Sequence, residues 1–353
     1  MTLQERDAPA RRPWSWWVVR VLPGVVALVV GARVLASRRS ELSGAAAALG
    51  HLSPAWVAVA TVAECGSLAA YVALQRRLLD ASGVTVGLTP LTGITLAGYA
   101  IQNSLPAGPA WSAVFAFRQL RRQRADSIQA GWTLVVTALI SDVSLAALGL
   151  VGVVLAHRQA ATLDVVEVMV AAALLTVAAV AAARRGLVSE RSLAAAAWFV
   201  ALWRRVTRRP HTDSRAIVTA AVDRLRAVRP SGVTWGVAAG LGLANWVFDC
   251  SCLALAFAAV HAAVPWRGLL LAYGTGQMAA NLPITPGGLG VVEGSLSIAL
   301  VYYGGGQTST VAAVLLYRLL SFWILLPLGW ASWVALRWSG RRAARLLVQE
   351  PAR

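Results

Sequence analysis

The chain has 353 residues, of which 58% are hydrophobic and only 13% are charged. This composition excludes an ordinary soluble globular protein, which carries about twice that share of charged residues, and it indicates a protein of the lipid bilayer. The formal net charge is +17 and every basic residue is an arginine. Because the arginines stand at the ends of apolar runs, we interpret them as topology signals and expect no nucleic-acid partner.

Several apolar runs are long enough to cross a hydrocarbon core, which takes about 20 helical residues. In chain order the predicted spans are 14–35, 54–79, 130–156, 165–183, 233–260 and 309–338. Arginine-rich segments occur at both termini, at 76–77, at 118–124 and in the connection 184–229. The positive-inside rule assigns them to the cytoplasm. The pattern therefore predicts a multi-pass protein of the plasma membrane with both termini in the cytoplasm.

Two further apolar segments, 88–118 and 268–303, do not fit complete crossings. Prolines and glycines interrupt both of them, in the sequences QNSLPAGP and NLPITPGG, and proline breaks a helix by removing a hydrogen-bond donor. A full crossing by the first would put the arginines of 118–124 outside, and the second begins and ends at arginine-poor connections. We predict two re-entrant helical hairpins, the first entering from the cytoplasm and the second from outside.

The two hairpins divide the chain into two halves with similar features, and polar residues in the neighbouring spans add to that similarity. Glu64 precedes the first hairpin and Asp249 the second, while Asp142 follows the first and Arg318 the second. We predict an all-α integral membrane bundle with two inverted repeats, each containing a hairpin. Its transmembrane domain would cover 14–338, between cytoplasmic tails 1–13 and 339–353. The spans 14–35 and 165–183 would be peripheral, and the connection 184–232 cytoplasmic.

The break in the second hairpin is the best candidate for a ligand site. Non-helical backbone at membrane depth must line a cavity or be buried against protein, and the helix that starts after PGGLG presents its N-terminus to an anion. A guanidinium grips a phosphate through paired hydrogen bonds. The predicted headgroup-binding residues are Arg318, Gly287, Gly288, Gly290, Asn281 and Asn103. The alternative is structural, with both asparagines satisfying backbone groups that the breaks set free.

Four carboxylates are candidate gating or ion-pair residues. Glu293 either complements the dipole of its helix or pairs with Arg318, because an isolated charge at membrane depth is costly. Glu64, Asp142 and Asp249 form a proton or cation relay, or are buried groups hydrogen-bonded to neighbours such as Asn245 and Gln277. The cysteines Cys65, Cys250 and Cys252 lie in apolar runs without metal-ligand spacing. We expect no metal and no other cofactor.

The motifs LPITPGGLGVVEG, YYGGG and LLYRLLSFW, with NSLPAGPA and FRQLRR before them, resemble the transmembrane, flippase-like region of the lysylphosphatidylglycerol synthetase family over about residues 14–337. The resemblance implies movement of phospholipids or lipid-linked compounds across a bacterial plasma membrane. It does not imply lipid aminoacylation, which in two-part members belongs to a soluble C-terminal domain. The first hairpin departs from the second, since the apolar neighbourhood of Ala116 replaces Glu293.

Together these observations predict a protein that binds a phospholipid or lipid-linked phosphate compound and translocates it across the membrane. Its partners would be membrane lipids, including an anionic headgroup. One alternative is an intramembrane enzyme with Glu293 or Asp249 as general base, although the sequence has neither HExxH nor GxSxG. The other is a non-catalytic subunit that supports a partner lipid synthase or glycosyltransferase.

Overall fold

A computed structural model of the chain describes residues 50–105, 107–156, 230–280 and 286–349. Within these ranges the chain is helical and has no strand. Its α-helices are α1 (Pro54–Ala81), α2 (Leu88–Ser104), α3 (Gly108–Arg122), α4 (Ser127–Ala156), α5 (Gly232–Ala259), α6 (Trp266–Ala280), α7 (Val291–Tyr302), α8 (Gln307–Arg318) and α9 (Leu325–Gln349). The predicted spans 14–35 and 165–183, nearly all of the connection 184–232, and Asn281 lie outside the described residues.

In the part of the chain that the structure describes, four helical stretches are long and apolar enough to cross a membrane: α1, α4, α5 and the stretch Gln307–Ser339, which runs through α8 into α9. They coincide with the predicted spans 54–79, 130–156, 233–260 and 309–338.

The helix α4 begins three residues earlier than predicted because Asp126 caps it. Its Oδ1 accepts hydrogen bonds from the backbone N–H of Ile128 at 2.5 Å and of Gln129 at 3.0 Å, which satisfies donors that a helix start leaves free.

The two segments predicted to be broken are each divided into two short helices. The helices α2 and α3 have 17 and 15 residues, and α6 and α7 have 15 and 12 residues. At 1.5 Å per residue none exceeds about 26 Å, which is less than the hydrocarbon thickness. In each segment the two short helices pack against each other. A short 3-10 turn, Pro286–Gly288, precedes α7.

Glycines bring the packed helices close together. The long helices α1 and α5 pack against each other, α9 packs against α2, and α6 packs against α4. A Cβ atom at Gly329 on α9 would lie 2.3 Å from the backbone oxygen of Leu96 on α2. A Cβ atom at Gly152 on α4 would lie 2.5 Å from the backbone nitrogen of Leu271 on α6. Both contacts require glycine, because a side chain there would push the helices apart.

The last span contains a π-helical turn, Leu319–Trp323, directly after Arg318. Such turns interrupt the regular ladder of backbone hydrogen bonds and often mark functional sites. The carbonyl oxygen of Ser321 in this turn accepts a hydrogen bond from the hydroxyl of Tyr99 on α2 at 2.6 Å. The turn therefore joins the last span to the first pair of short helices.

Candidate functional site

Arg318 is buried at the end of α8, with 7% of its surface exposed. Its Nε donates to Oε1 of Glu293 at 2.7 Å, and its Nη2 donates to the carbonyl oxygen of Gly287 at 3.1 Å. The guanidinium also lies over the ring of Phe322, 4.2 Å from the ring centre. An aromatic face attracts a cation. The arginine thus has a charged, a polar and an aromatic partner, as a buried guanidinium requires.

Glu293 joins the arginine to the start of α7. While its Oε1 accepts from Arg318, its Oε2 accepts from the backbone N–H of Gly290 at 2.7 Å. Both alternatives weighed from the sequence, ion pairing and complementing the helix dipole, therefore occur together. A negative charge is favoured there because free N–H groups and the helix dipole point at it. The Glu293 side chain keeps 20% of its surface exposed, against 8% for the Arg318 side chain.

The backbone just before α7 is a glycine turn (residues 287–290), which overlaps the end of the 3-10 turn. Gly287, Gly288 and Gly290 have φ angles of 63°, 66° and 81°, in the region that glycine adopts without a steric cost. A Cβ atom at Gly287 would lie 2.4 Å from Cε2 of Phe322 and 3.1 Å from the backbone oxygen of Asn103. The glycine turn therefore lies against the end of α2, where the first break begins.

Alanine substitutions at Gly287 and Gly290 provide a matched test of this packing. Both positions have positive φ, so each variant bears about 1–2 kcal/mol of backbone strain. Only Gly287→Ala adds overlap with Phe322, since nothing lies within 4 Å of a Cβ atom at Gly290. We expect Gly287→Ala to lower the free energy of unfolding in detergent by a further ~1–3 kcal/mol. Equal losses in the two variants would contradict the close packing.

The other predicted headgroup residues have different positions relative to Arg318. The side chain of Asn103 donates to the carbonyl oxygen of Tyr99 at 2.9 Å, within its own helix, so its backbone and not its amide faces the glycine turn. Gly288 is buried, and a Cβ atom there would lie 2.8 Å from Cγ2 of Val292. Gly290 is exposed. Asn281 lies outside the described residues.

Asp249 is buried in α5 and accepts several hydrogen bonds at one oxygen. Its Oδ2 receives the hydroxyl of Tyr273 at 2.5 Å, the amide of Gln277 at 3.1 Å and the hydroxyl of Tyr317 at 3.2 Å. Gln277 also donates to the Tyr317 oxygen at 2.8 Å. These donors stabilise a carboxylate in a buried site. Tyr317 precedes Arg318 in the chain, so this network adjoins the ion pair.

Glu64 on α1 lies opposite Asp249 on α5, because the two helices pack against each other in the register that the contacts Ser67–Asn245 and Ser53–Ala259 fix. Both side chains are buried, with 9% of Glu64 and 8% of Asp249 exposed. Asp142 is not brought to them: it is exposed on α4. Of the three carboxylates grouped from the sequence, only two are therefore in contact. Within the described residues no group of three or more His, Cys, Asp or Glu side chains is placed to hold a metal ion.

Sequence reasoning missed two parts of this arrangement. It did not include Phe322 beside Arg318, although a spacing of four residues places both on one helix face. It also did not include Tyr273 and Tyr317 as partners of Asp249. The same spacing puts Tyr273 and Gln277 on one face of α6, which was the available signal.

The fold and the site together define a polytopic helical membrane protein in which a buried arginine–glutamate ion pair lies at a helix break. The chain belongs to the lysylphosphatidylglycerol synthase TM region family, whose family model matches residues 20–329. It is 22% identical over 324 residues to a UPF0104 membrane protein of Methanothermobacter thermautotrophicus, an alignment that covers 89% of this chain and 94% of the relative.

Proposed function

We propose that the protein binds the phosphate-bearing headgroup of a membrane lipid at Arg318 and the glycine turn, and helps the lipid to cross the bilayer. One observation carries this proposal: the carboxylate of Glu293 accepts from Arg318 and from the N–H of Gly290. Those two donors are the ones that a phosphate group would use. In this proposal the carboxylate of Glu293 occupies, in the lipid-free protein, the position that the phosphate of the headgroup would take.

The contacts of Glu293 suggest how the site changes between its free and bound states. A phosphate at Arg318 competes with Glu293 for the guanidinium, and an arginine fork binds a phosphate through two parallel hydrogen bonds. Glu293 is the more exposed partner of the pair, and nothing lies within 4 Å of a Cβ atom at Gly290. In this proposal Glu293 leaves Arg318 when the headgroup arrives and returns when the headgroup departs.

The order of the helices supports the further proposal of two inverted repeats with re-entrant hairpins. The described chain follows the sequence long, short, short, long twice, from α1 to α4 and from α5 to the composite last span. In this repeat α2 corresponds to α6, and α4 corresponds to the last span, which contains α9. The contact of α9 with α2 therefore has the contact of α4 with α6 as its counterpart, and both contacts occur. Short helices whose breaks meet inside the protein are suited to a polar site near the bilayer midplane.

Transport is tested with the full chain in phosphatidylglycerol–phosphatidylethanolamine vesicles that contain acyl-labelled phosphatidylglycerol. A membrane-impermeant reductant bleaches only the outer leaflet. We expect wild-type protein to make more label accessible than protein-free vesicles do. Accessibility equal to that of protein-free vesicles, for this lipid and for a labelled polyprenyl phosphate, would contradict translocation. A new lipid product in the mass spectrum would instead favour an intramembrane enzyme.

Binding in detergent tests the site itself. We expect Arg318→Met to weaken binding of a short-chain phosphatidylglycerol by about tenfold or more, as loss of a charge-assisted hydrogen bond predicts. Glu293→Gln should strengthen that binding, because it weakens the internal competitor. The control is Arg267→Met, since Arg267 is exposed at the start of α6. Equal weakening by Arg318→Met and Glu293→Gln would indicate a purely structural ion pair and overturn the site.

A further inference from the structure

Two buried carboxyl oxygens, one on Glu64 and one on Asp249, accept no hydrogen bond from the described residues. These are Oδ1 of Asp249 and Oε2 of Glu64, and the register of the packed helices α1 and α5, fixed by the contacts Ser67–Asn245 and Ser53–Ala259, places the two carboxyl groups opposite each other. The other oxygen of Asp249 already has three donors. A carboxylate oxygen can only accept, so these two groups have no hydrogen to share unless one of them carries a proton.

Electrostatics favours one proton in this place. Two ionised carboxylates in contact repel each other, and burial removes the water that would screen them. Arg318 acts on Asp249 but is already paired with Glu293, so it offsets the charge of two ionised carboxylates only in part. A single proton removes one charge and satisfies both orphan oxygens with one hydrogen bond. A metal cation would need several more oxygen ligands, whereas the nearby Tyr273, Gln277 and Tyr317 point hydrogens at Asp249.

We propose that Glu64 and Asp249 hold one proton between them, and that this proton is bound more tightly when an anion occupies Arg318. The coupling part rests on the proposed headgroup site. With Arg318 and Glu293 paired, their charges cancel. A phosphate that takes the place of Glu293 adds a negative charge at Arg318, whose own charge acts on Asp249 and on Tyr317, the tyrosine that donates to Asp249. The added negative charge disfavours release of the shared proton, so the pair holds that proton more tightly, and linkage makes the effect reciprocal.

Other titratable groups surround the pair on each packed helix. Those that act on it directly are Tyr99 on α2, Cys250 and Cys252 on α5, Tyr273 on α6, and Tyr317 and Arg318 on α8. On α4 the titratable group is Asp142, which is exposed and acts on Tyr71 rather than on the pair. Tyrosines and buried thiols are neutral near pH 7. Away from the ends of the long spans that the structure describes, the carboxyl groups of Glu64, Asp249 and Asp142 are therefore the ones that can exchange a proton near that pH, and only the first two face each other.

Infrared spectroscopy of the purified full chain in detergent tests the bound proton without any lipid. We expect a protonated-carboxyl C=O band at pH 7 that shifts in D₂O and is absent in Glu64→Gln, whose amide supplies a permanent hydrogen to Asp249. Both proteins are measured in the Asp142→Asn background, because protonation of Asp142, the other carboxyl group away from the ends of the long spans that the structure describes, would add a band of its own. Absence of the band from the wild type, or its persistence in Glu64→Gln, would overturn the shared proton. The wild-type result alone decides this if the variant does not fold.

The coupling has a separate readout. We expect binding of short-chain phosphatidylglycerol to weaken as pH rises above about 7, through the range in which the lipid-free protein releases the shared proton, by up to about tenfold per pH unit for one linked proton, and to become insensitive to pH in Glu64→Gln. If wild-type binding does not change with pH, or Glu64→Gln keeps the same dependence, the coupling is wrong even where the infrared band is present. If no lipid binds at any pH, the headgroup site fails and the coupling with it, while the infrared result still decides the shared proton.

Discussion

Replacing Arg318 by methionine is expected to lower the free energy of unfolding by about 3–5 kcal/mol, the range for breaking a buried ion pair. The reason is that Glu293 loses its charged partner while most of its surface remains covered. Gly287 also loses a donor to its carbonyl oxygen. Methionine keeps much of the length and apolar volume of the arginine stem. The decrease in the free energy of unfolding therefore measures the effect of removing the charged group. The measurement is denaturant unfolding of the full chain in detergent.

A double-mutant cycle separates the ion pair from simple packing. When Glu293→Gln is added to Arg318→Met, no buried charge is left without a partner. We expect the double variant to regain about 1–3 kcal/mol relative to Arg318→Met alone. Arg267→Met serves as the control and should unfold like the wild type. A double variant less stable than Arg318→Met would contradict the pairing, and so would an Arg318→Met variant of wild-type stability.

Gly108→Ala is expected to destabilise the protein by ~3 kcal/mol or more, at the upper end of the range for overpacking. A Cβ atom at Gly108 would lie 1.8 Å from the carbonyl oxygen of Gln102 and 2.5 Å from its carbonyl carbon. Both are backbone atoms, so no change of side-chain rotamer relieves the overlap. The chain between α2 and α3 would have to open, which moves the end of α2 away from the glycine turn.

The matched control for this variant is Gly240→Ala on α5, where nothing lies within 4 Å of the added Cβ atom. Alanine is a better helix former than glycine, so this control should be at least as stable as the wild type. Thermal unfolding of both variants in the same detergent gives the comparison. A Gly108→Ala variant with the unfolding temperature of the control would show that the first break tolerates a side chain.

Some features of the site followed from the sequence because they depend on local chemistry. The need of Arg318 for an anionic partner follows from the cost of a charge in lipid, and the position of Glu293 in the first turn of a helix follows from the helix break just before it. The break at PGGLG follows from proline and glycine. The close approach of Gly287 to Asn103 does not follow from these rules, because it depends on how two distant segments pack.

The carboxylates illustrate the limit of sequence reasoning. Glu64, Asp142 and Asp249 have the same chemical character and similar positions in their predicted spans. In the structure Glu64 contacts Asp249, whereas Asp142 is exposed on α4. Which side chains meet depends on the rotation of each helix about its axis, and a nearly uniform apolar sequence carries little information on that rotation.

The sequence by itself determined that this is a helical membrane protein, located the spans at 54–79, 130–156, 233–260 and 309–338, and identified the positions where helices break. Those features follow from hydropathy and backbone chemistry, which act over a few turns of one helix. Only the tertiary structure decided that Glu293 bridges Arg318 and Gly290, and that Glu64 lies against Asp249. Such contacts depend on the crossing and rotation of separate helices, which packing of the whole bundle sets.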